Sequence, residues 1–284
     1  MSTSSSHPPT LLTLARRTVV DESLFAAGDR VLVAVSGGSD STALLHVLAR
    51  LRPKLGHELF AHGVDHQLRP EAKGELDRAE AMAKALEVPW SRSEVALVPG
   101  GNLQARARSA RFKALRSAAA HVGASCIATG HHAEDRAETV LLRLLRGGSA
   151  SGLAVLPPRH GDLIRPFIRA RKRDIQAHLD RHKLAHASDP SNMDPRFLRA
   201  RVRHELLPLL QALSPGIVDH LNGLADDLRA RVGEDLDAYE AAYVPPLPRA
   251  VRMALAALAA SRSRKGRVRL PGGLIASFEP SAPK

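Results

Sequence analysis

One cysteine in 284 residues, Cys126, excludes a disulfide framework and any site that needs several thiolates from one chain. It lies in the apolar stretch from Ala124 to Ala128, where a buried small hydrophobe is expected. Aromatics make up only 3% of the chain, so a core must come from Leu, Val, Ile and Ala, which suits stacked helices and buried parallel strands. No apolar run reaches the length of a membrane span or signal-peptide core, and the start, Met1 to Thr10, is polar and rich in Ser and Pro. These features lead us to expect a soluble, cytoplasmic protein with no membrane partner. Also missing are Gly-x-x-x-x-Gly-Lys-Ser/Thr, the loop that serves γ-phosphoryl transfer, and the dinucleotide spacing Gly-x-Gly-x-x-Gly.

What is present is positive charge. A net charge of +12 attracts polyanions, although solubility alone accounts for many cationic surfaces. Basic residues are concentrated between 159 and 203, and again at Arg262, Arg264, Lys265, Arg267 and Arg269.

Hydrophobic periodicity divides the chain. Leu11–Phe25 reads as a helix and Arg30–Val35 as a strand covered on both faces. Ser41–Leu51 follows as a helix opened by Ser39 or Asp40. The alternation continues with a strand at Glu58–Val64, a helix at Pro70–Leu86, a strand within Val88–Val98 and a helix at Leu103–His121. It ends with a strand at Ser125–Thr129, a helix at Ala133–Arg146 and a strand at Asp162–Phe167. This order predicts an α/β fold, a doubly wound, mostly parallel, Rossmann-like sheet, followed by a smaller helical domain. Helices are expected at Arg171–His182, Arg196–Leu213, Gly216 to about Tyr239, and Pro248–Ser261. The domain expectation is a tail and helix over 1–27, a nucleotide-binding domain over 28–210, and a basic helical region over 211–284. Ligands of such sheets bind beyond the carboxyl ends of the strands, which makes Ser36–Ser41 and Gly130–Glu138 suspects for one site.

Ser36-Gly37-Gly38-Ser39-Asp40-Ser41 joins a strand to a helix, so its amides converge where a phosphate is favoured by hydrogen bonds and by the helix dipole. The glycines allow close approach, three serine hydroxyls add donors, and Asp40 is suited to Mg2+. An ordinary tight turn is the bland alternative, outweighed by the strand before and the helix after. In the second segment the helix is expected to bury Ala137, Val140, Leu141, Leu144 and Leu145. His131, His132, Asp135 and Glu138 then gather at its start, with Glu134 facing water. A His/Asp metal site is an alternative there, but Mg2+ would favour the carboxylates Asp40 and Asp135. Arg108 and Arg111, three apart on one helical face, suit a phosphate or nucleotide, or else a solvated basic face.

The loop Ser36–Ser41 resembles the PP-loop of the N-type ATP pyrophosphatases, which cleave ATP between the α and β phosphates. Gly130-His131-His132-Ala133-Glu134-Asp135-Arg136-Ala137-Glu138-Thr139 resembles the matching block of the tRNA(Ile)-lysidine synthetases. So do Val64–Pro70, Arg108 with Arg111-Phe112, Leu163–Pro166, and Asp189–Asn192 followed by Arg196-Phe197 and Arg199–Pro208. The ordered set covers roughly residues 28–210. The resemblance implies a ligase that uses ATP and Mg2+ to join free L-lysine to C2 of the cytidine at the first anticodon position of tRNA(Ile) with a CAU anticodon. The reaction runs through an adenylylated cytidine and changes codon specificity from AUG to AUA.

On that reading Asp40, His132, Asp135 and Glu138 are catalytic. Ser36, Gly37, Gly38, Ser39, Asp40, Ser41, Gly130, His131, Arg108 and Arg111 hold the nucleotide, and Asp40 and Asp135 hold the metal. Arg199, Arg201 and Arg203 grip the tRNA, with Glu138, Asp135 or His132 as proton acceptor. Arg136 stands where Gln is usual, and Gln67, Gln104 and Ala200 also depart from the pattern; an altered tRNA or phosphate contact is expected at Arg136. No additional C-terminal domain is expected, leaving tRNA recognition to the segment after about residue 210, and a homodimer stays open. The rivals are a tRNA thiolase, which needs cluster-binding cysteines the chain lacks, another PP-loop synthetase with a different nucleophile, and a non-catalytic nucleotide-sensing RNA-binding module.

Overall fold

A computed structural model describes residues 9–65, 71–95, 103–187 and 198–232, together with 267–269 and 275–277. Motif residues 66–70, 189–192 and 196–197, the expected helix 248–261, and residues 262, 264 and 265 of the second basic cluster lie outside the described residues.

Helix α1 (Leu11–Asp21) leads into strand β1 (Arg30–Val35), and the loop Ser36-Gly37-Gly38 joins β1 to helix α2 (Ser39–Leu55). Then come β2 (Glu58–Asp65), α3 (Glu71–Ala85), β3 (Trp90–Glu94), α4 (Leu103–Val122), β4 (Cys126–Ala128), α5 (Ala133–Leu145) and α6 (Ala150–Leu153). A short hairpin of β5 (Arg159–His160) and β6 (Leu163–Ile164) precedes α7 (Lys172–His182). The sheet order is β3-β2-β1-β4-β6-β5, parallel throughout except for the edge strand β5.

Strand alternation explains the layering. Val31, Val33 and Val35 of β1 enter the core shared with α1, α2, α3 and α7, while Leu32 and Ala34 face Leu115 and Ala119 of α4. With both faces covered, β1 reads as an unbroken apolar run. The chain leaves β1 toward β2 on one side and returns to β4 on the other. The carboxyl ends of β1 and β4 are therefore adjacent, with Val33 paired to Ala128, the last residue of β4.

Several boundaries differ from the sequence expectation. Helix α2 begins at Ser39 and runs through Pro53 to Leu55, because a proline near a helix end forfeits little. The expected helix 196–213 divides among its described residues into α8 (Leu198–Arg201), a π-helical turn (Val202–Leu206) and α9 (Leu207–Leu213). Pro208 cannot donate to residue 204, and the amide of Leu207 reaches back five residues to Val202.

The chain divides into two compact units, 1–231 and 232–284. Helix α1 is part of the main core, through Leu11, Ala15 and Val19. Helix α10 (Ile217–Val232) packs Val218, Leu221 and Ala225 against Ala137, Val140 and Leu141 of α5. In the second unit the described residues are two antiparallel strands, β7 (Arg267–Arg269) and β8 (Ile275–Ser277), where a helical region was expected. Arg-Val-Arg alternation and the Pro271-Gly272-Gly273 sequence between them disfavour helix.

Arg136 is fully buried, which overturns its expected contact with tRNA or phosphate. Its Nε donates to the Val155 carbonyl (2.9 Å) and its Nη2 to Asp226 of α10 (2.6 Å). Asp226 also accepts from Arg169, whose other nitrogen reaches Glu22 (2.7 Å). On α5, Leu144 and Leu145 are exposed, contrary to expectation, and Leu142 is buried instead. Asp226→Ala leaves the Arg136 guanidinium buried without a counter-charge and should cost about 3 kcal/mol, read as a fall in urea midpoint.

Candidate functional site

The loop after β1 takes its shape from the two glycines. Gly37 has φ +81°, and a Cβ there would sit 2.6 Å from the Glu75 carbonyl oxygen of α3. Only glycine satisfies both constraints. Gly38 is the extended residue before α2, and the Ala187 amide donates to the Gly37 carbonyl (2.9 Å), tying the loop to the segment after α7. Ser41 is buried and works inside the loop: its hydroxyl accepts from the Ser36 amide (3.1 Å) and donates to the Gly38 carbonyl (3.1 Å). Of the three serines expected to face an anion, Ser36 and Ser39 stay on the open side of the loop.

The second segment comes up against the first. A Cβ on Gly130 would sit 3.0 Å from both the carbonyl carbon and the oxygen of Asp40, so the two chains pass at backbone contact. His132, the residue before α5, is buried, and its Nε2 lies 3.4 Å from Asp135 Oδ2 and 3.9 Å from Asp40 Oδ2. Its Nδ1 meets Glu134 (3.0 Å) and its amide donates to Asp135 (3.1 Å). Burial alone would lower the imidazole pKa. The carboxylates of Asp135, Glu134 and Asp40 outweigh it and raise the pKa, favouring the cation.

His131 behaves oppositely. Burial holds its pKa well below the ordinary value, and the positive charges of Arg165, Arg108 and Arg111 add to the effect against the pull of Asp135. Thr129 Oγ1 lies 2.9 Å from His131 Nδ1 and 3.3 Å from the Ile164 carbonyl oxygen, tying the ring to the end of β4. Arg108 and Arg111 are thus within electrostatic reach of the site. Arg108 also lies over the Phe112 ring (4.9 Å), and Arg111 borders a cavity of about 60 Å³ with Val35, Ser36, His62 and Val64. Burial and the neighbouring Arg108 lower the Arg111 pKa, the mark of two cations held together at a place an anion would relieve.

Glu134, expected to face water, points inward. It accepts from Arg171 Nε (2.8 Å) and the Lys172 amide (2.9 Å), joining the start of α5 to the start of α7. Burial would raise its pKa; hydrogen bonds from His132 and Arg171 reverse this and bring it to about 2. Lys172 in turn donates to Ser39 Oγ (2.8 Å) and pairs with Asp40. Sequence reasoning missed Lys172. The signal was the basic run Arg171-Lys172-Arg173 at a helix start, where cations oppose the dipole and need another reason to be there.

Asp135 and Glu138 share Arg203, which comes from the π-helical turn. Nε meets Glu138 at 2.6 Å, and Nη2 meets Glu138 at 2.8 Å and Asp135 at 3.0 Å. Burial opposes ionisation of Asp135, but the His132 and His131 imidazoles and Arg203 hold its pKa below the ordinary value. Arg203 therefore closes this side of the site. Arg199 is half exposed, 3.5 Å from Glu138, and Arg201 forms an exposed pair with Glu205.

A PP-loop domain model matches residues 13–210, more than half of the chain. The chain is 38% identical over 269 residues to the tRNA(Ile)-lysidine synthase of Thermobifida fusca, covering 87% of this chain and 81% of that protein. The chain belongs to the tRNA(Ile)-lysidine synthase family of PP-loop proteins. It is also 42% identical over 235 residues to the tRNA(Ile)-lysidine synthase of Symbiobacterium thermophilum, covering 77% of this chain and 48% of that one. The chain spans about half the length of several such relatives, 45% in the case of Geobacter sulfurreducens. Among solved structures, the U34-tRNA thiolase NcsA from Methanococcus maripaludis with its [4Fe-4S] cluster shares the fold, at TM-score 0.65 and 17% identity over 77% of this chain and 78% of that one. Cys126, buried with its pKa pushed up to about 11 by that burial, offers no ligand set for such a cluster. The family uses ATP.

Two outcomes follow. Glu134→Gln should lower stability at pH 7 by on the order of 3 kcal/mol, because a folded pKa near 2 against 4.5 stabilises the folded state above the unfolded pKa. The gap between wild type and variant should close as pH falls from about 4.5 toward 2, checked by urea unfolding across that range. Gly130→Ala pushes the Asp40 backbone by a few tenths of an ångström; ATP turnover should fall about tenfold or more while the urea midpoint stays near that of the wild type.

Proposed function

We propose that this chain is an ATP-dependent ligase that joins free L-lysine to C2 of the first-anticodon cytidine of tRNA(Ile). The observation that carries the proposal is the backbone contact between Gly130 and Asp40. It sets a phosphate-binding loop beside a helix start that bears two histidines and two carboxylates.

Cytidine O2 attacks the ATP α-phosphorus and pyrophosphate leaves. The ε-amine of lysine then attacks C2, and AMP departs with the O2 oxygen. Both steps build and release negative charge, so catalysis lies in positioning and charge stabilisation. The loop amides and the N-terminus of α2 receive the departing diphosphate, with Lys172 beside them. His132, held toward its protonated form, faces the α-phosphate. Proton acceptance from the lysine amine then falls to Glu138 or Asp135. Arg108 and Arg111 complete the nucleotide side, next to His131.

Asp40 and Asp135 fit Mg2+. Both are hard oxygen donors flanking the same His132 nitrogen, and Asp40 spends Oδ1 on Ser39 and Lys172 while Oδ2 turns to the site. When bound, the ion supplies charge neutralisation of phosphate oxygens.

Arg199 and Arg201, both more than half exposed, would bind the tRNA backbone together with the basic region after residue 210. Among the described residues no helix is long and apolar enough to cross a membrane, consistent with a cytoplasmic tRNA substrate.

The test is pyrophosphate release with tRNA and lysine omitted in turn. Release should require tRNA, and labelled lysine should appear in tRNA only when all components are present. Release without tRNA would point to a small-molecule synthetase, and ATP binding with no release to a sensing module. Asp40→Ala should cut release about 100-fold or more while tRNA binding changes less than about twofold, because a carboxylate paired with Lys172 inside the site adds nothing to the phosphate-backbone contacts that dominate affinity.

A further inference from the structure

Three imidazoles meet where α2 packs on α7, away from the loop and from every residue given a role above. His46 comes from α2, and His178 and His182 come from α7, four residues apart on one face. His46 and His178 are buried, at 8% and 5% exposure, and His182 is half-buried. The ring centroids are separated by 5.0 Å (His46–His178), 4.7 Å (His46–His182) and 4.5 Å (His178–His182). His46 Nδ1 lies 2.9 Å from His178 Nε2, and one nitrogen from each ring falls within 4.8 Å of the others.

The apolar core between α2 and α7, with Val47, Ile175 and Leu179 in it, has no packing need for three polar rings. Each imidazole has two ring nitrogens, and the contact between His46 Nδ1 and His178 Nε2 engages one on each, so the cluster keeps ring nitrogens for a further ligand. Burial first, with His182 and Arg50 adding to it, pushes the His46 pKa down to about 4, and burial with the neighbouring histidines, Arg181 and Arg50 does the same for His178. Both rings are therefore neutral at physiological pH, which is the form that ligates a metal.

We propose that His46, His178 and His182 form a structural site for a borderline transition-metal dication, best matched by Zn2+, with water or a small anion in the fourth position. All-imidazole donors suit Zn2+, Ni2+ or Cu2+ and exclude Mg2+ and Ca2+, which take oxygen. Tetrahedral Zn–N bonds of roughly 2.0–2.1 Å place ligand nitrogens about 3.3 Å apart, so the site closes by a small swing of the half-buried His182 ring. Arg50 and Arg181 oppose a bare dication and favour an anionic fourth ligand.

The placement gives the metal a purpose. His46 stands six residues beyond Asp40, and His178 six beyond Lys172, about 9 Å along each helix. A metal there pins the two helices whose first turns carry the Asp40–Lys172 ion pair.

The test uses untagged full-length protein stripped with a chelator. Wild type should bind one Zn2+ per chain and give the intense visible absorption of tetrahedral Co2+ when Co2+ replaces it, and Zn2+ should raise its Tm. His182→Ala and His182→Phe, the second preserving ring packing, should keep the chelated wild-type Tm. Both should weaken Zn2+ binding by more than the roughly 10–100-fold that loss of an outer-shell partner costs. No stoichiometric binding by the wild type, or binding unchanged in both variants, overturns the proposal.

Discussion

Everything at the site depends on two backbones passing at van der Waals distance. Gly130 lies against the carbonyl of Asp40 because β4 pairs with β1, and because the chain leaves β1 in one direction and returns in the other. Any side chain at position 130 would wedge the phosphate loop away from the start of α5. The parallel sheet supplies the adjacency, and the absence of a Cβ sets the distance. The carboxylates, imidazoles and guanidiniums then occupy a space whose walls are already fixed.

Charge is arranged in opposed layers around that space. On one side Lys172 neutralises Asp40, and Glu134 holds Arg171 and the α7 amide, so the starts of α2, α5 and α7 are locked to one another. On the other side Arg203 bridges Asp135 and Glu138. Between them sit two adjacent histidines with opposite tendencies, His131 held neutral and His132 drawn toward the cation. Neighbouring residues of one type acquire separate roles because burial prevails at His131, with Arg165, Arg108 and Arg111 adding to it, while at His132 the carboxylates outweigh burial.

The parts legible in sequence were local ones. The apolar run of β1, the glycine-rich turn and the polar helix start of α5 each announce themselves within ten residues, and a mostly parallel sheet follows from the alternation of strands and helices. What stayed hidden was tertiary. Lys172 reaches Asp40 across 132 residues of sequence, and nothing near either one indicates the other. Glu134 read as a solvent-facing cap until α7 came to rest on it. Arg203 carried no hint of Glu138 or Asp135; the π-helical turn ahead of Pro208 brings it to both. Arg136 was expected to meet tRNA or phosphate, and the arrival of Asp226 on α10 is what makes its burial tolerable. Leu144 and Leu145 fit the apolar stripe of α5, yet the helix outruns its partners at that end.

A crystal structure with an ATP analogue carrying a methylene bridge between the α and β phosphates tests the shared site most directly. The account predicts the β and γ phosphates on the amides of the Ser36–Ser41 loop, with the α-phosphorus turned toward His132. A nucleotide bound elsewhere on the chain, or phosphates on the loop with the α-phosphorus facing away from α5, would contradict it.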